Sequence, residues 1–114
     1  MARSPDDSRP DLLPGTLEML ILRTLTLGAL HGYGIARHIE QSSDGVLKVE
    51  QGSLYPALER LLQRGWVTAR WERSPTGRRA RYYTITRSGR ARLDRKTAVY
   101  ERVVRAISRV MSEA

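Results

Sequence analysis

The chain has 114 residues and a formal net charge of +8, with 20 Lys and Arg against 12 Asp and Glu. It has no cysteine, which excludes a disulfide framework and a thiolate metal site. The apolar run around 17–30 is broken by Glu18, Arg23, Thr24 and Gly28, which excludes a bilayer span there, and the length suits a single domain that would gain from association with a second copy.

Residues 1–11 are polar, carry two prolines and are read as a disordered tail; they lack the apolar centre of a signal peptide, so a cytoplasmic protein is expected. In "DLLPGTLEMLILRTLTLGAL", Asp11 is the expected N-cap and Pro14 falls in the first turn. Leu17, Leu20, Ile21, Thr24 and Leu25 share one face, predicting a core helix that ends near Gly28. "HGYGIARHIEQSSDG" predicts a second helix stopped at Gly45, with His31 in the preceding turn and hydrogen-bonded to backbone. "VLKVE" reads as a short extended segment with Leu47 and Val49 on one side.

"QGSLYPALERLLQRGW" predicts the third helix. Leu54, Leu58, Leu61 and Leu62 form its core stripe, while Gly52, Pro56, Glu59, Arg60 and Gln63 occupy the far side. Ser53 is the expected N-cap, which would put Pro56 third in the helix, and Gly65 is the expected left-handed stop. "WVTARWERSPTGRRARYYTIT" predicts a β-hairpin: Val67, Ala69 and Trp71 alternate with polar residues, and "SPTG" at 74–77 is turn chemistry. Trp66 and Trp71 are expected to be hairpin and core aromatics. Thr86 can cap a final helix over 87–112, in which Leu93, Tyr100 and Ile107, and likewise Lys96, Val103 and Val110, recur every seven residues. Val99, Val104 and Met111 widen that stripe. The seam fits packing against a second copy; the plainer alternative is a helix covering its own core.

Charge is segregated along the chain. Residues 1–59 hold five basic and eight acidic residues, whereas residues 60–96 hold twelve basic and two acidic. Such concentration points to a polyanion, most often nucleic acid. Codon bias toward arginine is the bland alternative, but bias would spread arginines evenly. His31 and His38 are the only histidines and have no cysteine to help them, so no metal site is expected. "HGYG" lacks the lysine and length of a phosphate loop, and no nucleophile–base set is apparent, so neither a cofactor nor an enzyme is expected.

Three helices followed by a β-hairpin is the order of a winged helix-turn-helix, in which the third helix enters the major groove and the wing reaches flanking backbone. The expected class is therefore mainly α with a small β-hairpin. The winged-helix domain would span 12–86, and a dimerisation helix 87–114. Small and polar residues at a helix start let phosphates and base edges approach. On that ground Gln51, Ser53, Tyr55, Pro56, Arg60 and Gln63 are candidates for the DNA-facing helix, with Arg78, Arg79, Arg81 and Tyr83 on the wing. A plain capped start with Tyr55 turned inward remains the alternative for this stretch. The candidate dimer residues are Leu93, Tyr100, Val103, Val104, Ile107, Val110 and Met111. An RNA-binding winged helix and a protein–protein adaptor are the other readings; the heptads count against the first, and salt-sensitive duplex binding would count against the second.

"HGYGI" at 31–35, "GSLYPALERLLQRGWV" at 52–67 and "RRARYYTITRSGRARL" at 78–93 resemble the PadR-like bacterial transcriptional regulators, in order and spacing, over about residues 12–112. The resemblance implies a homodimeric repressor on double-stranded operator DNA in the bacterial cytoplasm, associated with the nucleoid. It also implies release by a small hydrophobic or aromatic effector, and no membrane partner. Relatives often carry tryptophan in the dimer helix where this chain has Tyr100, so a ligand-stacking role is not carried over to that position.

Overall fold

The computed structural model describes residues 15–113. Its elements run α1 (Thr16–Leu25), β1 (Leu30–His31), α2 (Gly32–Ser42), α3 (Gln51–Gln63), β2 (Val67–Arg73), β3 (Arg79–Ile85) and α4 (Arg87–Met111). The fold is a winged helix: four helices and a three-stranded antiparallel sheet in the order β1-β3-β2. None of these helices is long and apolar enough to cross a membrane.

Asp11 and Pro14, the expected cap and first-turn residues, lie outside the described residues; α1 begins at Thr16 behind Gly15 and ends at Leu25, before Gly28. It buries Leu17, Ile21, Leu22, Thr24 and Leu25, and the Thr24 hydroxyl donates to the Leu20 carbonyl at 2.8 Å. His31 caps α2, its Nδ1 accepting from the Gly34 N–H at 2.9 Å. The Gly45 N–H reaches back to the Glu40 carbonyl after α2 ends. Residues 46–50, expected to be extended, instead begin with a bend: the Val46 N–H bonds the Ser43 carbonyl and the Leu47 N–H the Ser43 hydroxyl, both at 3.0 Å. Leu47 and Val49 pack against the core, and the segment pairs with no described strand. The third strand is instead Leu30–His31, which meets Tyr83 and Tyr82 of β3.

Helix α3 starts three residues earlier than its capping chemistry suggests. Glu50, not Ser53, is the N-cap, because the Glu50 carbonyl accepts from both Ser53 N–H (3.0 Å) and Leu54 N–H (2.9 Å) and closes the turn there. Pro56 consequently lies inside the helix, where it lacks the N–H that would reach the Gly52 carbonyl. Both residues are exposed, so water can meet that carbonyl. At the other end Gly65 takes φ +73°, its N–H bonding the Leu62 carbonyl and the Trp66 N–H the Leu61 carbonyl. This double bond pattern satisfies the orphan carbonyls and turns the chain into β2.

Leu54, Ala57, Leu58 and Leu61 of α3 pack with α1, with Ile35 and Ile39 of α2, and with Val67, Tyr83 and Ile85 of the sheet. Leu93 of α4 completes this core at 6% exposure. It therefore packs within its own protomer, and its place in the expected dimer seam is corrected: Leu93 belongs to the core cluster, and the first turn of α4 closes on Trp66 and Ile85. Thr86 caps α4, accepting from the Gly89 N–H at 3.0 Å and donating to the Gly65 carbonyl at 2.7 Å.

Candidate nucleic-acid interface

An open groove of about 1040 Å³ lies between the start of α2, the outer side of α3 and the β2–β3 hairpin. The hairpin is in register from Val67↔Ile85 to Arg73↔Arg79. Its tip is closed by the Gly77 N–H bonding the Ser74 carbonyl (2.9 Å) and the Ser74 N–H bonding the Arg78 carbonyl (2.7 Å). Arg73 braces the tip, its Nη1 donating to the Gly77 carbonyl at 3.0 Å. Residues 67, 69, 71 and 79, 81, 83, 85 share one face of the hairpin, because side chains alternate along a strand. Near the core that face is apolar; beyond it, the face carries Trp71, Arg79 and Arg81 out over the groove.

Of the expected site, Tyr55, Arg78, Arg79, Arg81 and Tyr83 line this groove, whereas Gln51, Ser53, Pro56, Arg60 and Gln63 lie outside its lining. Gln51, Ser53, Tyr55, Pro56 and Gln63 are all exposed on α3, and Arg78 and Arg79 are exposed on the wing. Tyr55 leans on the first turn of α2, where a Cβ on Gly32 would come within 2.9 Å of its hydroxyl and 3.0 Å of its ring. A glycine in "HGYG" thus makes the space for the tyrosine of "GSLYP", which links two motifs far apart in sequence. Arg81 donates to Glu59 Oε1 at 3.0 Å, crossing from wing to α3.

Three placements differ from expectation. Tyr83 is 2% exposed, with its ring in the core beneath the Arg81 guanidinium at 5.7 Å, so it supports the wing and offers no surface to DNA backbone. Burial pushes its phenol pKa above the usual value, against the pull of the neighbouring Arg81. Arg60 is not free on the outer face: its Nε holds Glu18 of α1 at 2.9 Å, and that carboxylate is only 15% exposed. Trp71, expected as a hairpin or core aromatic, is on the hairpin but outside the core: it is 59% exposed, with the Arg79 guanidinium 5.5 Å from its ring centre. Trp66 is half-buried between Arg64 and Arg92.

The groove also contains residues that sequence reasoning passes over. Tyr33 (66% exposed) and Arg37 stand one turn apart on α2 and line it opposite the wing. Their i, i+4 spacing next to "HG" is the available signal. The edge of His31 packs against Tyr82 at 5.2 Å, tying α2's first turn to β3.

Away from this groove, α4 leaves Val99, Tyr100, Val103, Val104, Ile107, Val110 and Met111 exposed along its last three turns. Between the start of α1 and α4 lies a second groove of about 470 Å³, bordered by Met19, Val99, Tyr100 and Val103 and by Arg92, Arg95 and Lys96. Arg92 Nε is buried there without a hydrogen-bond partner among the described residues.

Residues 21–95 match the model of the Transcriptional regulator PadR-like family. A transcriptional regulator from Clostridium thermocellum superposes with a TM-score of 0.74 at 27% identity, covering 81% of this chain and 89% of that one. A PadR-like transcriptional regulator from Bacillus cereus gives 0.75 at 23% identity over 88% and 95% of the two chains, a likeness of fold alone. Bacillus subtilis PadR, solved in complex with operator DNA, gives 0.63 at 28% identity over 71% of this chain and 47% of that one. The present chain therefore spans about half of that last relative.

Proposed function

The chain belongs to the PadR-like family of transcriptional regulators, and from that premise we propose that it is a homodimeric repressor binding an inverted-repeat operator. The observation that carries the reading is the groove itself: exposed Arg37, Arg78 and Arg79 face the outer side of α3 across it. In this reading α3 enters the major groove by its N-terminus, where no side chain makes a capping hydrogen bond, so Gln51, Ser53, Tyr55, Pro56 and Gln63 lie at or near base edges. Arg78 and Arg79 bind phosphates beside it, with Tyr33 and Arg37 on the opposite strand of the site. The backbone role expected of Tyr83 passes to these residues. Arg60 serves to hold α1 against α3.

The exposed stripe from Tyr100 to Met111 supports a dimer through α4. Each such side chain buried contributes about 1.5–3 kcal/mol, and nothing among the described residues of a lone chain covers them. Repression then follows from occupying a promoter. The second groove supports an effector seat beside that dimer helix: Met19, Val99, Tyr100 and Val103 suit a small aromatic body, and Arg92, Arg95 and Lys96 suit an acidic group on it.

Titration of duplexes selected from random sequence tests the reading. About six phosphate contacts per dimer give a log affinity against log salt slope near −5, and half-site centres about one helical turn apart fit two symmetry-related helices. Sedimentation equilibrium should show a dimer at micromolar concentration, and Val103→Glu or Ile107→Glu should dissociate it. A flat salt titration, or a wild-type monomer at tens of micromolar, would contradict the proposal.

A further inference from the structure

The charged side chains lining the groove between α3 and the wing are those of Arg37, Arg78, Arg79 and Arg81, with one exception. Among the described residues Glu59 is its only carboxylate. Measured around α3 from Leu54, Glu59 falls at about 140°, beside Gly52 at about 160° and Gln63 at about 180°, so it sits in the outermost quarter of the helix. Its side chain is 54% exposed. A negative charge there repels every phosphate the surrounding arginines attract, so it weakens binding to DNA in general. Packing does not require it, since among the described residues it is bound only to Arg81, through a pair in which both side chains reach solvent.

We propose that Glu59 is a specificity-determining residue that selects cytosine at one position of each half-site. The proposal rests on the DNA-binding reading above. An ionised carboxylate only accepts hydrogen bonds. On the major-groove edges of the bases the donors are the N4 amine of cytosine and the N6 amine of adenine, and adenine sets an acceptor, N7, beside its donor. Guanine presents two acceptors, which a carboxylate repels. Gly52 and Pro56, at about 160° and 200° on the same outer face, carry no side-chain donor, so this face lets the helix approach closely.

The pairing with Arg81 fits this assignment. An ion pair with both side chains reaching solvent contributes little, so an arriving duplex can separate it. Glu59 then turns to the amine and Arg81, already poised on the wing, takes a phosphate. On a site lacking the amine, the carboxylate stays with Arg81, and neither the base nor that phosphate is engaged. One residue thereby couples readout by the helix to anchoring by the wing.

The test is selection from a randomised duplex pool by the full-length wild type, Glu59→Ala and Glu59→Gln, with affinity measured on the wild-type consensus and on unrelated DNA. Wild type should show a cytosine at one position per half-site, favoured about tenfold over guanine. In Glu59→Ala that position should become indifferent while the others keep their preference, and unrelated DNA should bind more tightly. Glu59→Gln, which can donate as well as accept, should move the preference at that position to adenine. A Glu59→Ala consensus identical to wild type at every position overturns the proposal and leaves Glu59 as a tether for Arg81. Uniform loss of preference at all positions also overturns it, because the residue would then be positioning the helix. A wild type that selects no consensus overturns the operator reading itself.

Discussion

Replacing Gly89 with alanine should destabilise the fold, although helix propensity alone says the reverse. Gly89 lies in the first turn of α4, where alanine is favoured over glycine by up to about 1 kcal/mol. A Cβ built there would collide with the Trp66 carbonyl oxygen and stand 2.9 Å from Ile85 Cγ1 and 3.0 Å from the Trp66 carbonyl carbon. Two of those atoms are backbone and cannot rotate aside, so α4 must lift from the α3–β2 junction by roughly an ångström to restore ordinary van der Waals spacing. The Trp66 carbonyl already accepts from the Thr86 N–H at 3.0 Å, and Thr86 Oγ1 accepts from the Gly89 N–H at 3.0 Å. Lifting the helix strains both. Overpacking costs about 1–3 kcal/mol and a lost cap about 1 kcal/mol, so the net expectation is about 2 kcal/mol of destabilisation. Urea unfolding followed by tryptophan fluorescence at fixed chain concentration measures it. Gly52→Ala is the counterpart, because a Cβ there meets nothing within 4 Å. It should stabilise by about 0.4–1 kcal/mol while weakening operator binding, since it fills the DNA-facing side of α3. A Gly89→Ala protein as stable as wild type would refute the packing argument, and the tight approach of α4 to Trp66 with it.

Arg60→Ala should lower stability by about 1 kcal/mol, because it strands the mostly buried Glu18 carboxylate, and should leave base preference unchanged; altered preference in sequence selection would restore Arg60 to the base-reading set. Arg79→Ala should weaken cognate and random duplex by similar factors and shrink the salt slope by about two per dimer, one for each phosphate left without its cation; paired titrations at two salt concentrations decide this. Tyr83 has a folded-state pKa above its unfolded value of 10.0, so the stability it contributes is complete below that pH and is lost as pH rises through the folded pKa. Tyr83→Phe should therefore unfold less steeply with pH above about 10, and an unchanged alkaline profile would contradict the burial argument.

Much of this fold is legible in the sequence because it rests on periodicity. The leucines of α3, the alternation of β2 and the caps at His31 and Thr86 each follow from local chemistry. Expectation and structure part where tertiary packing overrides a local rule. Ser53 is a better cap than Glu50 by side-chain preference, yet the helix closes on the Glu50 carbonyl and takes Pro56 into its interior. β1 is two residues long, too short to alternate, and exists only because β3 lies alongside. Arg60 looks free in the sequence because its partner is 42 residues away. Tyr83 and Trp71 exchange expected places for a related reason: alternation gives the face they share but not where along the hairpin the core ends.

α4 runs 25 residues without a break, so it is about 37 Å long at 1.5 Å per residue. Its near end is wedged against Trp66, with no side chain at Gly89 to act as a cushion. Its far half carries the exposed stripe. In the proposed dimer it therefore works as a lever arm, with the fulcrum in the protomer core and the load at the partner. A tilt of about 5° at the wedge displaces the tip by about 3 Å, given that length. Run in reverse, a molecule lodged beside Tyr100 that spreads the two shafts slightly would re-aim both wings at once, changing the distance between half-sites that the pair can span.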